Sequence, residues 1–315
     1  MQRSAMPRDV SLRPLPLPEF HLLHRKSSAA GAHKRSAHGL PQIDGFYLER
    51  TEEAVKAFGS GVLPTRFQFY FIGLVSRGHA TCTTGLASFQ LRPPTAFFVP
   101  PGQIHSSRGW STRDRGFALS FSEALFVENL GDKETLRHSS IFQWERAPFL
   151  HLTSEEFDAL FALFTALENE WKRQPAPSVR ALRLLLQLIV VRLEEAAERC
   201  VCPVYLDANG RIYQRFRSAL ESRFREEKSP ANYAMQLGVH PNHFATAVRA
   251  ASGLPPGEWI RARVILEAQC LLGNTTRAVK EVAAELGYDD EAYFSRLFKK
   301  SVGVSPRDYQ LGAAA

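Results

Sequence analysis

The chain has 315 residues, 44% of them hydrophobic and 23% charged, with a formal net charge of +7. That composition supports packed cores in more than one domain and excludes a disordered polyelectrolyte or a small disulfide scaffold. Residues 1–40 carry seven Lys/Arg against two Asp/Glu, residues 41–210 carry 17 against 19, and residues 211–315 carry 15 against 11. A basic C-terminal segment fits attraction to phosphate, and an excess of this size is also common on solvated surfaces.

In chain order, residues 1–40 are rich in Ser, Ala, Pro, His and Arg, with Pro14, Pro16 and Pro18 alternating with Leu. The alternation forbids a regular helix, and the segment predicts a disordered tail. It lacks the unbroken apolar core of a secretory signal. The longest apolar run, Leu184 to Val191, is interrupted by Gln187 and falls short of the ~20 residues of a membrane span. The expectation is a cytoplasmic protein without membrane contact. Cys200 and Cys202 are separated by one residue, which is not metal or redox spacing. All four cysteines read as reduced thiols, with Cys82 in a strand and Cys270 in a helix.

From about Phe46 the pattern is of short strands. Phe67 to Val75 is aromatic and β-branched, His79 to Thr83 follows a turn at Ser76-Arg77-Gly78, and Ala87 to Leu91 alternates. Thr95 to Val99 reads as a buried strand before Pro100-Pro101-Gly102, and Phe117 to Phe121 adds another. Many short strands with regular turns predict a jelly roll or barrel. If it holds a small ligand, the inward candidates are Arg66, Gln68, Tyr70, His105 and Trp110. Arg66 would meet a carboxylate, and Tyr70 and Trp110 a ring. The alternative is a filled core with Arg66 at the surface and His105 as a structural hydrogen-bond partner.

Two helices follow. Thr153 and Glu156 form a capping box ahead of a stripe at Phe157, Leu160, Phe161, Phe164 and Leu167. Ser178 to Arg199 has a wide apolar face that can cover the barrel, a partner, or both. Cys200 to Arg211 reads as a linker.

The last hundred residues repeat one pattern. Ala234-Met235-Gln236-Leu237-Gly238-Val239 precedes Phe244 to Val248; Ala283-Ala284-Glu285-Leu286-Gly287-Tyr288 precedes Phe294 to Phe298 after a turn one residue longer. Beyond the turn the copies stay 50 residues apart, Gly253 with Gly303, Pro256 with Pro306 and Trp259 with Tyr309. One supersecondary unit used twice fits two helix-turn-helix units better than an ordinary helical bundle. Gly238 and Gly287 suit left-handed C-caps, His240-Pro241 opens one second helix, and Asp289 is the expected cap of the other. The outward candidates for DNA contact are Asn242, His243, Ala245 and Thr246 in the first copy, and Glu291, Ala292, Tyr293, Ser295 and Arg296 in the second. Arg296 suits bidentate bonding to guanine and Asn242 to adenine. Arg249, Lys299 and Lys300 suit phosphate.

Residues 210–311 resemble the DNA-binding domain of the AraC/XylS family of bacterial transcription regulators. The resemblance is carried by Val282 to Tyr288, Tyr293 to Lys300 and Gly303-Val304-Ser305-Pro306-Arg307-Asp308-Tyr309. It implies seven helices, a long linker helix at about Trp259 to Leu272, and promoter DNA and RNA polymerase as partners. Thr246 stands where many relatives carry Arg, so weaker base reading is expected from the first copy. Residues 45–125 resemble the family's cupin-like sensor domain, chiefly through Phe97-Phe98-Val99-Pro100-Pro101-Gly102-Gln103-Ile104-His105-Ser106. The paired histidines of the first cupin motif are missing at Thr65-Arg66-Phe67, so neither a metal, another cofactor nor an enzymatic role is implied. A repair methyltransferase would need a cysteine cluster that the chain lacks.

The expected fold is therefore α+β and multidomain: a cupin-like β-barrel with flanking helices over 41–200, a linker at 201–211, and an all-α domain with two helix-turn-helix units over 212–311. The expected role is a DNA-binding regulator, an activator by resemblance. It would be a homodimer through the helices after the barrel. Control by a small-molecule effector and control by dimerisation alone both stand open.

Overall fold

The computed structural model describes residues 43–127, 136, 138–143, 146–200 and 207–314. The expected tail, Cys202 and most of the expected linker lie outside them.

Nine described strands are β1 (Phe46–Arg50), β2 (Gly61–Arg66), β3 (Tyr70–Arg77), β4 (Thr81–Thr84), β5 (Ala87–Gln90), β6 (Thr95–Val99), β7 (Ile104–Arg108), β8 (Arg115–Phe121) and β9 (Phe149–His151). They form two antiparallel sheets, one ordered β1-β8-β3-β6-β9 and the other β2-β7-β4-β5. In the first sheet, side chains alternate between two buried faces. Phe46, Leu48, Tyr70, Ile72, Leu74, Ala96, Phe98, Leu119 and Phe121 enter the main core. The intervening Val75 and Phe97 pack instead with Cys82, Phe89 and Leu91 of the second sheet and the turn after it. Gly73 permits this packing: a Cβ there would lie 2.0 Å from the Phe97 ring.

Helices α1 (Thr51–Phe58) and α2 (Glu123–Phe126) follow β1 and β8. Helices α3 (Ser154–Trp171) and α4 (Val179–Cys200) cover the main core, which holds Leu160, Phe164 and Leu167 from one and Leu182, Leu186, Ile189 and Leu193 from the other. The Thr153–Glu156 capping box is present at the start of α3.

Seven described helices form the C-terminal domain, as the resemblance implies: α5 (Ala208–Arg223), α6 (Pro230–Gln236), α7 (Pro241–Ser252), α8 (Pro256–Asn274), α9 (Val279–Glu285), α10 (Glu291–Val302) and α11 (Pro306–Ala314). The first begins inside the expected linker, because Asp207 caps it by accepting from the Gly210 N–H at 2.7 Å. Helix α8 joins the two repeats and outruns its expected span at both ends. It sends Val264, Ala268, Leu271 and Leu272 into the core of its own domain. Leu266 and Cys270 turn the other way and pack on Ile104 of β7. A helix buried on both sides is the shared wall of two domains.

Two strand readings change. The run from Phe67 to Val75 is not one strand: β2 ends at Arg66, β3 begins at Tyr70, and the buried Phe67 and Phe69 stack at 4.7 Å between them. Strands β2 and β7 escape a sequence reading because Gly61-Val62-Leu63-Pro64-Thr65-Arg66 and Ile104-His105-Ser106-Ser107-Arg108 carry little strand signal.

Candidate nucleic-acid interface and inter-sheet cavity

Each helix-turn-helix unit closes on the same pair of backbone bonds. In the first, Gly238 takes φ 67°, Val239 N–H donates to Ala234 C=O at 2.9 Å and Gly238 N–H to Met235 C=O at 3.0 Å. In the second, Gly287 takes φ 76°, Tyr288 N–H donates to Ala283 C=O at 2.9 Å and Gly287 N–H to Ala284 C=O at 3.0 Å. This is the Schellman stop, which needs a left-handed residue. Gly287 is doubly constrained, since a Cβ would lie 2.2 Å from the Arg225 carbonyl oxygen.

His240 caps α7, and Asp290 caps α10 by accepting from the Ala292 and Tyr293 N–H groups at 2.8 and 3.1 Å. The cap is thus Asp290 and not Asp289, because the longer second turn absorbs one more residue before the helix opens. Phe244, Ala247 and Val248 anchor α7, while Phe294 and Phe298 anchor α10. The opposite faces are open. Asn242, His243, Ala245, Thr246 and Arg249 are exposed on α7; Glu291, Ala292, Tyr293, Arg296, Lys299 and Lys300 are exposed on α10, with Ser295 half-buried. At the repeat offset, Thr246 matches Arg296, Arg249 matches Lys299 and Ala250 matches Lys300. The second unit therefore presents three cations where the first presents one. The Thr246 hydroxyl donates to Asn242 C=O at 2.9 Å. Lys280 of α9 and Arg307 of α11 are also exposed and were not singled out from sequence.

A cavity of about 100 Å³ lies between the two sheets. Phe67, Phe71, Phe97, Trp110 and Phe117 supply aromatic walls, Gly61 and Val62 an aliphatic one, and Glu49, His105, Ser107 and Ser120 its polar groups. Among the described residues lining it, Glu49 is the one carboxylate, and none is Lys or Arg. His105 is 4% exposed and bonds through Nδ1 to the Thr84 hydroxyl at 3.0 Å. Its ring sits 5.6 to 6.2 Å from those of Phe67, Phe71 and Phe97. Burial pushes its pKa down from 6.5 to about 3, so the imidazole is neutral at physiological pH.

Of the five expected cavity residues, the structure brings His105 and Trp110 together. Arg66 is removed to the domain boundary, where it donates to Glu267 at 2.5 Å. Gln68 is exposed. Tyr70 faces the helices, stacked on Phe121 at 5.5 Å. The alternation holds from Arg66 to Phe71, with Phe67 and Phe71 facing the cavity, so the inward positions stand one residue out of step with those expected. Glu49, Phe67, Phe71 and Phe97 were missed; for all but Phe67, which follows β2, the signal is the alternation of β1, β3 and β6, visible only once pairing is known.

Two family models match the chain: a helix-turn-helix domain over residues 233–311 and an AraC-like ligand binding domain over residues 59–188. The arabinose operon regulatory protein of Escherichia coli is 24% identical over 255 residues, spanning 79% of this chain and 82% of that protein. The transcriptional activator RhaR of Yersinia pseudotuberculosis is 22% identical over 162 residues, 51% of this chain and 56% of that protein. A solved structure of ToxT from Vibrio cholerae covers 85% of this chain and 98% of its own at a TM-score of 0.40 and 14% identity. The chain belongs to the AraC/XylS family. It is a transcription regulator with a helix-turn-helix DNA-binding domain and a ligand-binding domain. Among the described residues no helix is long and apolar enough to cross a membrane.

We propose that α10, with three exposed cations at positions where α7 has one, is the base-reading helix. Arg296→Ala is expected to weaken binding to a selected duplex by about 1–3 kcal/mol, with little loss on a scrambled one. Fluorescence anisotropy on both duplexes checks this, and equal losses would reduce Arg296 to a phosphate contact.

The neutral His105 also makes stability pH-dependent. Between about pH 3 and 6.5 the unfolded chain takes up a proton at this residue that the folded chain refuses. Its contribution is full above 6.5 and is lost as pH falls, at up to ~1.4 kcal/mol per pH unit. Urea unfolding at pH 7 and pH 5 should show a shallower decline for His105→Asn than for the parent; matching slopes would contradict a neutral folded imidazole.

Proposed function

We propose that this regulator activates transcription in response to a small, uncharged, largely apolar effector held between its two sheets. The observation that carries the reading is the cavity itself, walled by aromatic rings around a neutral His105. An anion buried there would need a cation beside it, and the described lining residues supply none. Ser107, Ser120 and His105 can orient a hydroxyl or carbonyl. For scale, a dry apolar cavity of about 150 Å³ takes benzene, so the ligand occupying this one has roughly four to six heavy atoms. Activation is supported by the relative named as a transcriptional activator.

The test is a calorimetric titration against matched pairs of small alcohols or ketones and carboxylates. Binders are then added to in vitro transcription with RNA polymerase on a template carrying the selected duplex. Heat from the neutral member of a pair and a raised transcript are expected. Binding only by carboxylates would refute the ligand class, and a lowered transcript would refute activation.

The regulator acts as a homodimer through α4. Leu184, Leu188 and Val191 are exposed on α4, on the side away from the buried Leu182, Leu186 and Ile189. Their spacing of four and three is that of a seam between two copies of one helix. Light scattering should give a dimer for the parent and a monomer for Leu184→Glu/Leu188→Glu; a monomeric parent would end this assignment.

A further inference from the structure

Arg66 and Ile104 are cross-strand partners of β2 and β7. Both meet α8: Ile104 packs with Leu266 and Cys270, and Arg66 donates to Glu267 at 2.5 Å. The next residue along each chain turns to the opposite face. These neighbours, Phe67 and His105, line the cavity with their rings 5.6 Å apart. One wall therefore has the cavity on one side and the DNA-binding domain on the other.

Glu267 is a junction and not a single pair. It also accepts from Arg225 at 2.6 Å and from Arg263 at 2.9 Å. Arg263 reaches Glu221 of α5 at 2.8 Å, and Arg225 lies 3.9 Å from Glu285 of α9, which also pairs with Arg277. The network ties α8 to the first unit through α5 and to the second through α9. Asn274, at the end of α8, donates to Pro64 C=O at 2.8 Å.

We propose that β2 couples the cavity to DNA binding, with Arg66 as the positioning residue that transmits cavity occupancy to the relative placement of α7 and α10. The inference rests on the cavity being the effector site. The docked arrangement is the DNA-competent one, because the outer faces of α7 and α10 stay open while the domains touch.

The test uses the full chain and a duplex that it selects from a random pool. Ala118 lines the cavity, so Ala118→Leu serves as a built-in occupant. Arg66→Met and, separately, the uncharged change Asn274→Ala should weaken the selected duplex by about five- to a hundredfold and leave a scrambled duplex unchanged. Arg66→Lys should recover part of the loss, and unchanged thermal unfolding excludes misfolding. Ala118→Leu should shift affinity in the parent and fail to do so in the Arg66→Met background. Parental or tighter binding by both Arg66→Met and Asn274→Ala would overturn the proposal. An equal Ala118→Leu effect in both backgrounds would overturn it too, while sparing the effector reading. A silent Ala118→Leu in both backgrounds, with no binder in the calorimetric panel, would remove both.

Discussion

A buried carboxylate must be paired, and Glu267 is the place where this protein meets that demand. Its side chain is 1% exposed in the middle of α8. Burial acts to raise its pKa, but Arg263, Arg66 and Arg225 together hold it below the ordinary carboxylate range. A lone charge there would cost several kcal/mol. Guanidinium suits the role because it is planar, always charged and able to stack: Arg263 lies 3.8 Å and Arg225 4.7 Å from the centroid of Phe224. Apolar contacts such as Ile104 with Leu266 are non-directional. The charge-assisted bonds around Glu267 are short and geometrically specific, so they set where along α8 the two domains meet.

The same domain uses one interior twice and varies only its exterior. Phe244 and Phe294 occupy equivalent buried positions, as do Val248 and Phe298, and both stops rest on glycine. Because the packing is settled inside, the outer positions are free to differ. They differ in charge more than in shape, with Thr246 opposite Arg296 and Ala250 opposite Lys300. On the proposed reading the first unit is a placed support and the second the principal electrostatic contact.

The C-terminal architecture was legible because a helix buries one stripe and its stops demand glycine, so period and Gly238/Gly287 suffice. The β domain was legible only as a class. Thr95 to Val99 is buried on both faces, so its composition carries no phase, and phase decides what lines a cavity. Arg66 illustrates the limit. Its placement follows from the phase of β2 and from a partner 201 residues away, and neither leaves a local trace. Glu267 is equally silent: a Glu four residues after an Arg on a helix looks like an ordinary surface pair, and its third partner comes from another domain.

Under the proposed coupling that junction can also open. When Arg66 withdraws, Glu267 keeps Arg225 and Arg263, so no bare carboxylate is stranded. Arg66 itself is 20% exposed and also donates to the Gly102 carbonyl, so it loses one bond and gains water. Parting this pair therefore strands no bare charge, which lowers the cost of exchanging it for water. Its lining partners are less forgiving, since successive residues of a strand point to opposite faces and are only about 3.3 Å apart along it, and a close-packed wall moves as a unit. A shift forced on Phe67 by an occupant therefore reaches Arg66 with little room to dissipate. Small displacement on one side and an ion-pair exchange that strands no bare charge on the other are the two conditions under which a weak ligand can govern the placement of a whole domain.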